Sequence, residues 1–280
     1  MTTTRVSVVQ LGSGSDRESN LDAIEKSLRT AAENGSTLTL LPEASIYRGP
    51  YLPEYVEAED GPAITRVAGL ARELEMDVVL GGVWTESGDP EHAHNSCLVF
   101  DRRGRIAARY KKVHLFRLDR PGEPADDEAA FTAPGDETVV VGGKNLTIGL
   151  SICYDLRFAA LYRGLAQAGA TVLSVPANFS AYTGPAHWEV LLRARAIENL
   201  CYVLAPAQIG TDDTGFSAYG HSLIVDSWGT VIAGADDSPA VLTVDLDLEL
   251  VRAGRDQLGS LAHDRPDVYT RPPRIEDLHG

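Results

Sequence analysis

Three residues stand where an ionisable or nucleophilic side chain invites a chemical explanation. Glu43 follows the apolar run Leu40-Leu41-Pro42, Lys112 sits between Ala107 to Lys111 and Val113-His114-Leu115-Phe116, and Cys153 closes the run from Leu146 to Ile152. A charge at the end of a buried strand costs free energy unless it is partnered. Taken singly, each has an ordinary alternative: a Glu or Lys at a strand end is usually solvated, and a free cysteine usually packs in a core. On its own segment Cys153 suits core packing as well as catalysis. Its place just before a helix expected near Arg157 favours a thiolate, because the N–H groups of a helix start are unsatisfied. A thiol at neutral pH needs a base, and Glu43 and Lys112 are the unusual charges available. Cys97, inside an expected strand, and Cys201, opening another, read as core residues.

The elements that must position these residues follow from periodicity. Arg5 to Val9 reads as a strand, followed by a helix burying Leu21, Ile24, Leu28 and Ala31. Leu38 to Leu41 is a buried strand, a helix from about Gly61 to Glu75 repeats Ile64, Val67, Ala71 and Leu74, and Val78 to Val83 is the next strand. Ser96 to Phe100 and Ile106 to Tyr110 form a hairpin about Asp101-Arg102-Arg103-Gly104; Val139 to Val141 and Leu146 to Ile152 form a second about Gly142-Gly143. Helices over Phe158 to Ala168 and Trp188 to Asn199 lead to strands at Thr171 to Val175 and Cys201 to Ala205. Ser222 to Val225 and Val231 to Ala233 bracket a turn, and Ala240 to Val244 closes the sheet region. The pattern implies a layered α/β fold with mixed sheets: one domain over residues 1–263, then an extended arm over 264–280 rich in proline and charge.

Composition narrows the function classes. With 25 Lys+Arg against 40 Asp+Glu the net charge is -15, a field that repels nucleic acid and anionic membranes. The apolar runs are too short to span a bilayer, and Met1 to Gln10 lacks the layout of a secretion signal, so a cytoplasmic location is expected. Three cysteines without CxxC spacing argue against a disulfide framework and a cysteine zinc site.

The segments Leu40-Leu41-Pro42-Glu43, Tyr110-Lys111-Lys112-Val113-His114-Leu115-Phe116 and Ser151-Ile152-Cys153-Tyr154-Asp155-Leu156-Arg157-Phe158 resemble, in that order, the signature blocks of the nitrilase superfamily of carbon-nitrogen hydrolases. The resemblance extends to Asn95-Ser96, Gly184 to Glu189, Arg193 to Asn199 and Tyr219-Gly220-His221-Ser222, nearly the whole chain. It implies a four-layer αββα sandwich of two mixed β-sheets that dimerises with a second copy. It also implies a Glu43, Lys112, Cys153 triad, with Glu128 as the second family glutamate and the backbone N–H of Tyr154 as an oxyanion donor. No cofactor and no metal are implied.

The runs after Cys153 and through His187-Trp188-Glu189 look most like the Nit branch, whose omega-amidases and deaminated glutathione amidases act on carboxylate-bearing amides. A chain of this charge needs local positive groups for such a substrate, and Arg48 and Arg157 are candidates. Asn178, His187 and Trp188 complete the candidate substrate contacts. The family commonly has Pro-Glu after Arg-Phe, whereas this chain has Ala159-Ala160; that departure spares the triad and bears on the shape of the pocket. So does the unusual composition of Glu123 to Glu128.

Other readings compete. Gly12-Ser13-Gly14 after a strand hints at a dinucleotide site, but Arg17 occupies the third glycine position. His92, His94 and His114 have possible ligand spacing for a metallohydrolase, yet the Pro90 to Asn95 stretch reads as an exposed loop. A nitrilase or N-carbamoyl hydrolase would use the same triad, and a catalytically inactive interaction protein would use the same fold.

Overall fold

The computed structural model describes residues 3–122, 125–142 and 146–276. Glu123, Gly143 and the last four residues of the expected arm lie outside the described residues.

In chain order the elements are β1 (Thr3–Gln10), α1 (Arg17–Glu33), β2 (Leu38–Leu41), α2 (Pro62–Glu73), β3 (Asp77–Asp89), β4 (His92–Phe100) and β5 (Ile106–Lys111). The two-residue strands β6 (Arg117–Leu118) and β7 (Asp126–Asp127) follow, then β8 (Val140–Gly142), β9 (Thr147–Leu150), α3 (Ala159–Gln167), β10 (Val172–Ser174), α4 (Gly184–Asn199) and β11 (Tyr202–Ala205). The chain continues through β12 (Ile209–Thr211), β13 (Ser217–Tyr219), β14 (Leu223–Val225), β15 (Val231–Gly234), β16 (Ala240–Asp247), α5 (Leu248–Gln257) and α6 (Pro266–Tyr269).

Two large mixed sheets form the centre, with strand orders β16-β1-β2-β3-β4-β5 and β15-β14-β11-β10-β9-β8. Strand alternation explains the four layers, because successive side chains face opposite ways. On the first sheet Val6, Val8, Leu38, Leu40, Val79 and Val99 pack into one core with the second sheet. Val9, Leu41, Val78, Leu80 and Phe100, one residue out of step, pack against Ile24 and Leu28 of α1 and Ile64 and Val67 of α2. Helices α3 and α4 close the outer side through Leu161, Leu165, Trp188 and Leu192. The αββα sandwich implied by the sequence is therefore the fold.

Local signals hold these elements in place. Asp16 caps α1 by accepting from the N–H groups of Glu18 and Ser19, and Pro62 opens α2 where its missing N–H costs nothing. The parallel stretches β2, β9 and β10 all run toward one end of the sandwich, so the loops carrying Glu43, Cys153 and Asn178 emerge together. Crevices at the carboxyl ends of parallel strands are where α/β folds place ligands.

Several expectations are corrected. Pro90 to Asn95 is not an exposed loop: His92 to Asn95 begin β4, in register with β3 through Thr85↔His94 and Trp84↔Asn95. Pairing with the long β3 buries His94 and Asn95, which their polarity concealed. The strand at Ala240 extends to Asp247 because it finds β1 as an antiparallel neighbour along its full length. Helix α5 and the β12–β13 hairpin were not foreseen, and the expected extended arm contains the single helical turn of α6. No helix among the described residues is long and apolar enough to cross a membrane.

Candidate active site

Glu43 leaves β2 through Pro42, and the chain turns sharply behind it, with Ala44 in the left-handed region at φ 58°. Glu43 is only 6% exposed, and both its oxygens are engaged. Oε1 accepts from Lys112 Nζ at 2.9 Å and from Asn95 Nδ2 at 2.9 Å, while Oε2 accepts from the Asn178 N–H at 2.7 Å. Lys112, one residue beyond β5, places its ammonium between two carboxylates, with Glu128 Oε2 at 2.8 Å. Glu128 opens a 3-10 turn over Glu128–Ala130 and accepts from Asn95 Nδ2 at 2.8 Å and the Phe116 N–H at 2.8 Å.

Cys153 begins a 3-10 turn, Cys153–Arg157, that separates β9 from α3. Its backbone is left-handed at φ 46°, a conformation costing roughly 1–2 kcal/mol for a residue with a Cβ. Two sets of bonds hold it there. The Cys153 N–H donates to Pro176 O at 2.9 Å. The fully buried Asp155 accepts from the Ile152 N–H at 2.8 Å, the Tyr110 hydroxyl at 2.7 Å and the His114 N–H at 3.1 Å, with His114 Nδ1 at 2.7 Å. Asp155 thus ties the Cys153 turn to β5 and to the segment that follows it.

Charges here are mutually dependent, and the cluster titrates as a set. Burial alone would raise the Glu43 carboxyl, but the Lys112 ammonium, the Asn178 N–H and the Cys153 thiol hydrogen bond outweigh it and hold it below the ordinary carboxylate range. Burial opposes the Lys112 charge, yet Glu128 and Glu43 raise its pKa well above the usual lysine value. Burial and then the Glu43 charge push the Cys153 thiol well above its usual value, against the pull of Lys112. The resting set is therefore carboxylate, ammonium and neutral thiol. Cys97 and Cys201 are pushed up by burial to about 12 and about 11 and stay inert in the core.

These groups form the floor of a cavity of about 280 Å³ lined by Glu43, Lys112, Glu128, Cys153, Asn95 and Asn178. Aromatic rings of Tyr47, Tyr51, Tyr55, Trp84 and Phe131 make one wall, and Asp126, Asp127 and Asp212 stand among the lining residues. Asp126 is paired with Arg120, and Asp127 with Arg117.

The remaining substrate candidates divide. Arg48 lines the cavity but is 2% exposed, and its terminal nitrogens donate to the carbonyls of Ile209, Gly210 and Phe216, bracing the β12–β13 hairpin. Arg157, His187 and Trp188 lie outside the cavity lining. Arg157 is turned toward Thr183 and His187 and sits over the Phe179 ring, and Trp188 is a core residue donating to His221 O at 2.7 Å. Arg157 also lies over the Tyr154 ring and Trp188 packs on Phe179, so these residues stand behind Cys153 and Asn178 rather than in the cavity lining. Ala159 and Ala160 are exposed and do not line the cavity.

The competing motifs also resolve. His92 bonds Asp89, His94 bonds Ala133 O and His114 bonds Asp155, and no cluster of metal-ligating side chains occurs among the described residues. Ser13 beside the glycines is tied to Gln208 and Ser45 O. Two site residues escaped sequence reasoning. Asn95 bridges both glutamates, and its only signal was its place beside Ser96 in a family segment. Gly82, at φ 57°, packs so closely that a Cβ there would lie 2.5 Å from Glu43 Cγ.

A family profile described as carbon-nitrogen hydrolase matches residues 5–256. Human deaminated glutathione amidase is 39% identical over 274 residues, covering 94% of this chain and 83% of that protein. Human omega-amidase NIT2 is 35% identical over 271 residues, covering 96% and 98%. The crystal structure of the C. elegans NitFhit protein superposes with a TM-score of 0.87 at 34% identity, over 99% of this chain and 70% of that one.

Proposed function

The chain belongs to the carbon-nitrogen hydrolase family, and from that premise we propose that it is an amidase acting through a Cys153 thioester on a small, carboxylate-bearing amide. The observation that carries this reading is the buried Glu43–Lys112–Glu128 ion-paired set, which lines the same cavity as Cys153.

Glu43 takes the thiol proton as sulfur attacks the amide carbon, which converts a poor nucleophile into a thiolate only as the bond forms. Negative charge then moves from sulfur to the amide oxygen, where Lys112 and the Tyr154 N–H receive it; each such donor supplies roughly 3–4 kcal/mol in a water-poor site. The proton held on Glu43 passes to the leaving nitrogen, ammonia departs, and a thioester remains. Water then gives a proton to Glu43 and its oxygen to the acyl carbon, and collapse releases the acid and returns the proton to sulfur. Glu128 keeps Lys112 charged and aimed. Asn178, whose buried Oδ1 has no hydrogen-bond partner among the described residues, is an acceptor for the substrate amide N–H.

The carboxylate is assigned to the part of the cavity beside Asp126 and Asp127, where Arg120 and Arg117 supply the positive charge. Exposed Val190 and Ile197 on α4 and Trp228 on the β14–β15 turn support a homodimer. An ammonia-release panel of deaminated glutathione, 2-oxoglutaramate, simple nitriles and N-carbamoyl amines tests the reaction class. Cys153→Ala, shown folded by circular dichroism, is expected to abolish release; retained turnover would remove the nucleophile assignment.

A further inference from the structure

We infer that the aromatic wall of the cavity is a subsite for a flat apolar group, so that the preferred substrates carry an aryl substituent between the scissile amide and the cavity mouth. The inference rests on the amidase reading above and names the class of acyl chain.

Five rings make the wall, and they touch in sequence. Tyr55 packs on Tyr47 with centroids 4.3 Å apart, Tyr47 lies 5.7 Å from Trp84, Trp84 meets Tyr51 edge-on at 4.9 Å, and Tyr51 stacks on Phe131 at 5.0 Å. All five line the same cavity as Cys153. Their anchoring fixes where the wall stands. Trp84 is directly opposite Asn95 in the β3–β4 register, and facing residues of an antiparallel pair project from the same side of the sheet. Asn95 in turn donates to Glu43 and Glu128. Phe131 ends the turn that Glu128 opens, and the Tyr47 hydroxyl is bound to Pro50 O at 2.9 Å. Trp84 and Phe131 are therefore held by the same elements that carry Asn95 and Glu128, and the other three rings pack on them and on one another.

A wall of packed, mostly half-buried rings lining a cavity rewards a guest with a flat apolar face, through area removed from water and through offset or edge-to-face ring contacts. A cationic guest is the obvious rival for such a surface. Here the Arg17 guanidinium already lies 5.1 Å from the Tyr55 centroid, and the lining Asp126 and Asp127 are already paired with arginines. A neutral aryl group fits what is left.

Calorimetric titration of folded Cys153→Ala protein tests the subsite apart from turnover, using propanamide, 3-phenylpropanamide, 3-cyclohexylpropanamide and 3-(trimethylammonio)propanamide. The phenyl compound is expected to bind roughly 10- to 100-fold more tightly than propanamide and more tightly than the cyclohexyl compound. Trp84→Leu and, separately, Phe131→Leu in the same background are expected to shrink the phenyl-to-propyl ratio at least about 5-fold. Equal binding of phenyl and propyl amides, or preference for the trimethylammonium compound, overturns the inference. Ammonia release by the unmutated protein across the same amides reports on the amidase reading alone, since binding preference survives whether or not the bond is cut.

Discussion

The hydroxyl of Tyr110 donates to the carboxylate of Asp155 at 2.7 Å, joining β5 to the turn that carries Cys153. Both groups are buried, so neither has water as a substitute partner. Strand β5 ends at Lys111, so this bond is one tie between the segment that carries Lys112 and the turn that carries Cys153. Preorganisation of that kind lets a fixed charge act on an oxyanion without reorganising during the reaction.

Tyr110→Phe keeps the ring and deletes one donor to a buried charge. The expected loss is roughly 1–3 kcal/mol of stability, the cost of leaving a buried acceptor short of a partner. Urea unfolding gives the value, and kcat is expected to fall with it because the Cys153 turn loses one of its ties. Unchanged stability would mean that Asp155 is satisfied without Tyr110.

Asn95 donates to both Glu43 and Glu128 from one nitrogen. Asn95→Leu removes both bonds at similar volume, and hydrogen bonds to charged groups are worth roughly 1.5–3 kcal/mol, so kcat is expected to fall about 10- to 100-fold. Asn95→Asp places a third carboxylate in the cluster and is expected to be worse. Steady-state ammonia release compares them, and equal activity of the Asp variant and the parent would contradict the bridging role.

Gly82→Ala tests the close approach to Glu43. Its backbone lies at φ 57°, and the added methyl would stand 2.5 Å from Glu43 Cγ and 2.9 Å from Asn95 Oδ1. Something must shift, and a displaced catalytic group commonly costs about 100-fold. Turnover is expected to drop by about that factor, with a thermal midpoint lowered by the roughly 1–3 kcal/mol typical of overpacking. Parent-like kcat in the variant would show that the Glu43 position tolerates movement.

The pH dependence follows from the signs of the shifts. Glu43 is held below its ordinary value of 4.5, burial opposing and Lys112 leading the groups that prevail, so its contribution to stability is present above about that pH and lost as pH falls through the depressed value. Lys112 is raised above 10.5 by Glu128 and Glu43 against burial, so its contribution is complete below 10.5 and lost only as pH rises through the raised value. Activity that needs the Glu43 carboxylate is expected to keep its acid limb of kcat/KM below pH 4.5. A limb centred between pH 6 and 7 would assign the base to another group.

The sequence by itself determined the layered α/β class and, through three ordered blocks that resemble one family, the candidates Glu43, Lys112 and Cys153. Strand and helix periods are local, and an ionisable group at the end of an apolar strand is visible without knowing its neighbours. Leu21, Ile24 and Leu28 declared the buried face of α1, and Glu43, Lys112 and Cys153 declared themselves together. What only the tertiary structure decided is partnership across long separations. Asn95 was read as part of a loop because its polarity hides its burial, and only pairing with Trp84 across β3 and β4 brings it between two glutamates. Arg157, the last residue of the Cys153 turn, points to Thr183 and His187 instead of lining the cavity, whereas Arg48 lines it and is consumed by three carbonyls. Tyr47, Trp84 and Phe131 come from three separate segments and become one wall only when the sheet register sets them side by side. Which charges are paired, and which rings meet, depends on distances between elements, and no local pattern of residues encodes those distances.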